Sequence, residues 1–247
     1  MADWQTALET VAAAYARGTL EKDARTISEA YRLKTGEGRR LLTRKSEAAA
    51  YALSRMPATV EAAKAALTEA LAATGLAPKT LLDCGAGTGA VTFAADALLG
   101  LERATCLERE TAMRAVGQQL MREAGGVQAE WAACDLTAKE PLPRAGLVCE
   151  GYMLGELEAS MRLHVAGKLW DACEQMLVLI EPGTPQGFAN LRAVREALTG
   201  RGAYVAAPCP EGSAACPMTG DNWCHFAVRG DDIDYEAAVG GAAVARA

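Results

Sequence analysis

The segment Leu81–Ala90, "LLDCGAGTGA", sets a carboxylate at Asp83 and glycines at Gly85, Gly87 and Gly89 ahead of a helical stretch. Glycines at alternate positions let a backbone turn sharply and approach a ligand closely, and the helix start adds exposed N–H groups. Gly85, Gly87 and Ala90 also satisfy the dinucleotide pattern G-x-G-x-x-G/A. The carboxylate separates the two chemistries. At the end of a strand, Asp83 suits a cationic amino group and opposes a pyrophosphate, which favours S-adenosylmethionine (SAM) over a nicotinamide cofactor. Glu108 closes the next apolar run, "ATCLE", nineteen residues after Gly89, where a carboxylate accepts hydrogen bonds from both ribose hydroxyls of either cofactor; Glu110 is its rival. Asp135, in "AACDL", ends the third run, placed either for an adenine amino group or to cap the following turn.

A second cluster lies in residues 207–226, "APCPEGSAACPMTGDNWCHF", where Cys209, Cys216 and Cys224 are spaced C-x6-C-x7-C. That spacing is looser than a zinc finger or a ferredoxin run. Prolines after Cys209 and Cys216 stiffen the loop, and Gly212 and Gly220 let it fold back, as wrapping around a metal centre requires. Iron–sulfur, zinc and a loop of reduced thiols all remain open. His225 would point away from Cys224 on a strand. The other five cysteines sit singly in apolar segments and read as small buried hydrophobes.

The elements that must position these groups come in two parts. Residues 1–78 read as a helical region: Trp4, Leu8, Val11 and Tyr15 recur at helical spacing, "SEAAAYALSRM" stops before Pro57, and a further helix carries Val60, Ala63, Leu67 and Leu71. Residues 79–247 read as the ligand-binding domain, with five short strands alternating with helices and two more β-like runs, "AYVAA" and "WCHFAV", on either side of the cysteine loop. Such alternation predicts a doubly wound, mostly parallel, seven-stranded α/β sheet of the Rossmann-like type, with the cysteine loop between the last two strands. The tail "AAVGGAAVARA" shows no packing role.

The chain of 247 residues carries a formal charge of −6, unevenly spread. Residues 1–78 are net +2 and the remainder net −8. Arg32, Lys34, Arg39, Arg40, Arg44 and Lys45 cluster in "RLKTGEGRRLLTRK" with one acid, either a solvated face or a phosphate-contacting patch. The start lacks the basic flank and apolar core of a signal peptide, and no apolar run reaches membrane-spanning length. A cytoplasmic protein without disulfides is the expectation.

The D-x-G-x-G-x-G spacing is the usual first motif of class I methyltransferases. With "SEAAAYALSRMPAT", "GYMLGEL", "IEPGTPQGF" and the cysteine segment, it resembles the methyltransferase-like small-ribosomal-subunit assembly proteins, mitochondrial in eukaryotes and with bacterial relatives. The resemblance runs from Ser46 to Phe226. It implies a class I methyltransferase fold, SAM binding and association with small-subunit ribosomal RNA. For the mitochondrial members it also implies an iron–sulfur cluster, 4Fe–4S, on four cysteines, of which Cys209, Cys216 and Cys224 match the first three. No cysteine follows Cys224, so the fourth ligand has no match. "CEGYMLGEL" stands where amino-methylating enzymes of nucleic-acid bases carry N/D-P-P-Y/F, leaving Glu150, Tyr152 and Glu156 as the polar groups there and no nameable catalytic base. Three readings follow: an active ribosomal RNA methyltransferase, a SAM-binding assembly factor that transfers nothing, and a small-molecule methyltransferase with a zinc site.

Overall fold

Alanine-rich periodicity at the N-terminal end produces helices. The computed structural model describes residues 3–32, 42–209, 216, 218, 221–230 and 233–245. In it α1 spans Trp4–Ala13, α2 Arg17–Arg32 and α3 Lys45–Thr74. Asp3 caps α1 by accepting the Thr6 N–H at 3.0 Å. Glu47 caps α3 by accepting the Arg44 N–H at 2.9 Å, and Gly75 ends it in the left-handed region at φ +67°. The helix expected to stop before Pro57 runs through it. Proline removes one N–H, and with it one helical hydrogen bond. Met56, Val60, Ala63 and Leu67 on either side are all buried, and an unbroken apolar stripe outweighs that single bond.

The sheet begins with β1 (Thr80–Cys84), β2 (Arg103–Leu107), β3 (Ala129–Ala132), β4 (Ala145–Gly151) and β5 (Cys173–Pro182). These five pair in parallel in the order β3-β2-β1-β4-β5. Helices α4 (Ala90–Leu99), α5 (Thr111–Ala124), α6 (Ala159–Ala172) and α7 (Pro185–Thr199) make the connections, with a 3-10 turn at Leu154–Glu156 after β4. Successive strand residues serve opposite faces. Leu81, Leu147, Met176, Val178 and Ile180 pack with α1–α5, whereas Leu82, Val148, Leu177 and Leu179 pack with α6 and α7. The N-terminal helices and one face of the sheet therefore share a core.

Seven strands were expected, and the described residues form eight. After β6 (Tyr204–Ala207) and β7 (Phe226–Gly230), the tail supplies the C-terminal part of β8 (Ile233–Ala245). β8 lies between β5 and β6, antiparallel to both, and its first half pairs with β7. Its alanine and glycine content gives little strand propensity. The backbone edges of β5 and β6 require a ladder partner all the same, and that requirement is non-local. The cysteine loop thus lies between β6 and β7, not between the last two strands. Sheet order reverses at β1, so the crevice for a ligand opens at the carboxyl ends of β1 and β4. Among the described residues no helix is long and apolar enough to cross a membrane.

Candidate cofactor site and cysteine loop

β1 delivers Asp83 to the crevice and the chain then turns through the glycine loop. Gly85, Gly87 and Gly89 have φ of +74°, +57° and +92°, a region costly for any side chain, so the glycine pattern is a backbone requirement. Gly89 is the N-cap of α4. The loop is tied to β2: the N–H groups of Gly85 and Ala86 both donate to the Leu107 carbonyl, at 2.8 and 3.0 Å.

Asp83 is buried. Its Oδ2 accepts the Thr92 hydroxyl of α4 at 2.7 Å, while Oδ1 has no hydrogen-bond partner. Burial pushes the carboxyl up to about 6, with the Thr92 hydrogen bond opposing the shift. A nearby cation would repair this arrangement.

Glu108 stands one residue beyond β2 and is half-buried. Its two oxygens accept the N–H groups of Gly87 (2.9 Å) and Glu110 (2.7 Å), joining the glycine loop to the turn before α5. Burial raises its pKa against those two bonds. The rival, Glu110, pairs with Arg109 at 3.3 Å. Asp135 lies three residues past β3, exposed, with Oδ1 accepting both the N–H (3.0 Å) and the hydroxyl (2.7 Å) of Thr137. These bonds, the hydroxyl's first, hold its pKa below the usual range. Its turn-capping role is present, and the Gly87–Glu108 bond joins the glycine loop to Glu108.

Of the three loop cysteines, Cys209 is exposed and Cys216 and Cys224 are half-buried. Burial, then the charges of Cys209 and Cys216, raise the Cys224 thiol, so the three share one electrostatic neighbourhood. Among the described residues, no group of three His, Cys, Asp or Glu is arranged to hold a metal. Two contacts anchor the loop's surroundings. Arg192 of α7 donates to the Met218 carbonyl at 3.2 Å, and the Trp223 indole donates to the Gly183 carbonyl at 3.2 Å. Trp223 and Cys224 were expected on a strand with His225, but β7 starts at Phe226 and His225 stacks on Trp223 with centroids 5.9 Å apart. The argument from opposite strand faces therefore does not apply to His225.

In the basic segment, Lys34, Arg39 and Arg40 lie outside the described residues, Arg32 closes α2, and Lys45 opens α3. Arg44 bridges Asp23 (2.8 Å) and Glu47 (2.9 Å). Its charge is thus matched inside the fold, which weakens it as a phosphate contact.

The sequence pattern of the family described as mitochondrial small ribosomal subunit Rsm22 matches residues 45–244. The chain belongs to that family. A human relative, the mitochondrial ribosome assembly protein METTL17, is 31% identical over 166 residues, 60% of this chain and 36% of its own length. The Rsm22-family chain thus spans about a third of that protein. Its fold is that of class I SAM-dependent methyltransferases. Magnesium protoporphyrin IX methyltransferase from Synechocystis, solved with SAM, superposes with a TM-score of 0.53 at 15% identity, over 89% of this chain and 90% of that one. The plantazolicin methyltransferase BpumL, solved with S-adenosylhomocysteine (SAH), gives 0.56 at 10% identity, over 93% and 98%.

The structure adds residues to this Rsm22-family site that sequence reasoning missed. Thr92 is one; nothing local marks a helix threonine as an aspartate's partner. Met153 is another, its side chain lying where a Cβ on Gly85 would come within 2.9 Å of Cγ. Glu150 and Glu181 are visible as acids at strand ends, but not as a pair. Thr184 caps α7, accepting the Gly187 N–H at 3.1 Å.

Proposed function

We infer that this Rsm22-family chain binds SAM at the Asp83–Gly89 loop and acts on or with small-subunit ribosomal RNA in ribosome assembly. The observation that carries the cofactor assignment is the buried Asp83 oxygen without a partner, beside a loop of three left-handed glycines. Asp83 would hold the cofactor's amino group, Glu108 its ribose, and Asp135 the adenine edge. When bound, SAM supplies an electrophilic methyl group. The protein's own part is to fix that group's direction and exclude water. Family membership and the human assembly protein's description support the ribosomal role.

Two readings of the chemistry stand, and one observation favours the non-catalytic one. Glu150, the acid nearest the β4 exit, is fully buried and its Oε1 holds two backbone N–H groups, a structural task rather than that of a base facing a substrate. Retained cofactor binding without methyl transfer fits that arrangement. Methyl-labelled SAM incubated with immature small subunits separates the readings: label in RNA establishes the enzyme, while cofactor retention without label establishes the assembly factor. Equilibrium dialysis tests the premise, since retention of NAD and not SAM would overturn it.

For the cysteine loop, the proline-bounded spacing of Cys209, Cys216 and Cys224 supports a structural metal centre, an iron–sulfur cluster before zinc, which would have to draw the three thiols together from their present arrangement. Anaerobically purified protein should be brown and contain iron and acid-labile sulfide. A colourless preparation with stoichiometric zinc would assign zinc instead.

A further inference from the structure

β4 and β5 run side by side, and both Glu150 and Glu181 face α6 and α7 at their carboxyl ends. Both carboxyl groups are buried, at 0% and 1% exposure. Between them they grip three consecutive backbone N–H groups. Glu150 Oε1 accepts from Met153 (2.7 Å) and Leu154 (3.0 Å), and Glu181 Oε1 accepts from Gly155 (3.0 Å). Arg162 of α6 holds the same segment from its carbonyl side, donating to Leu154 (3.0 Å) and Leu157 (2.8 Å). The segment starts at Tyr152, whose φ of +62° is costly for a residue with a side chain, and a Cβ on Gly155 would lie 2.5 Å from Glu181 Oε2. Met153 rests on Gly85, the first residue of the cofactor loop.

Neither Oε2 receives a hydrogen bond from any described group, and the two carboxyl groups lie on the same face of adjacent strands. Two buried carboxylates so placed repel, whereas one proton between them makes the interaction attractive. We propose that Glu150 and Glu181 act as positioning residues, a one-proton clasp that holds Tyr152–Leu157 against the glycine loop and slackens when the proton leaves to solvent. The clasp thereby makes cofactor affinity fall as pH rises, a consequence that rests on SAM binding at that loop.

Burial and then the charge of Glu181 raise the pKa of Glu150; burial also raises that of Glu181, against the opposing charge of Arg162, so the pair shares the proton. The other groups facing the pair are Cys84 of β1, whose thiol burial keeps neutral, and the neutral Asn190 of α7, held by Gln186 at 2.9 Å. Asp83 faces the opposite side of the sheet and acts in the opposite sense, favouring a cationic ligand as it ionises around pH 6.

The test is amide hydrogen exchange without cofactor, corrected for intrinsic rates, from about pH 5 to about pH 9, on wild type, Glu150→Gln and Glu181→Gln. In wild type, protection at Met153, Leu154 and Gly155 should fall by up to about tenfold per pH unit once the proton leaves, while the central strands stay protected. Either glutamine supplies a permanent donor in place of the proton, so both variants should hold protection flat. SAH affinity, titrated in parallel, should fall at high pH in wild type and not in Glu150→Gln. A trend shared by wild type and variants, absent from both, or spread uniformly over the sheet overturns the clasp. If SAH binds at no pH, the cofactor assignment fails, and the exchange data still decide the clasp.

Discussion

Gly85→Ala isolates the contact between the glycine loop and the segment after β4. Two costs add at this position. The backbone sits at φ +74°, and a Cβ there costs about 1–2 kcal/mol. The new methyl would also lie 2.9 Å from Met153 Cγ and 3.0 Å from its Cβ, near the root of that side chain rather than its mobile tip. Relief requires a shift of the Met153 backbone, and such overpacking costs about 1–3 kcal/mol. The sum is about 2–5 kcal/mol. Gly100→Ala is the control: its φ is +55°, and nothing lies within 4 Å of the added Cβ, so it carries the backbone cost alone, about 1–2 kcal/mol. Urea unfolding midpoints with unchanged m-values measure both. Adding Met153→Ala to Gly85→Ala removes Cγ and keeps Cβ, so it should recover part of the contact cost, read as a coupling energy in a double-mutant cycle. If Gly85→Ala proves no worse than Gly100→Ala, or Met153→Ala rescues nothing, the loop and the segment are not in contact and the reasoning fails.

Asp83 has a folded pKa of about 6 against an ordinary 3.8, so the native state holds its proton more tightly. Its contribution is full below about pH 4 and declines as pH rises through about 6, by about 3 kcal/mol; Asp83→Asn should remove that part of the decline from the pH dependence of urea midpoints. Gly117→Ala would drive a methyl to 2.3 Å from Trp131 Cη2 and 2.8 Å from Cζ2. Overpacking a rigid ring at about 1–3 kcal/mol exceeds the helix-propensity gain of about 1, so the variant should melt lower and shift Trp131 emission. Thr184→Ala removes the α7 cap and should cost about 1 kcal/mol by thermal melting; no loss would mean that the loop around Gly183 is held by Trp223 alone.

Much of the geometry of the candidate cradle was legible in order along the chain. Asp83, the three glycines and Glu108 follow from local rules: a strand end, a turn that only glycine accommodates, and a helix start. Asp135 was legible as a turn cap, and Thr137, two residues on, occupies one of its oxygens. Misreadings arose where a distant partner decides. Pro57 marks a break by local rules, yet the burial of Met56 and Val60 carries α3 through it.

The sequence by itself determined the residues whose chemistry is fixed by near neighbours: the glycine loop with its acid, the strand–helix alternation, and the proline-bounded cysteines. Tertiary structure decided what depends on elements far apart in the chain. Only pairing with β5 and β6 turns an alanine–glycine tail into β8. Only the adjacency of β4 and β5 brings Glu150 within reach of Glu181, thirty-one residues later. The physical reason is common to both. Backbone edges and buried charges must find partners, and neither requirement specifies where along the chain the partner stands.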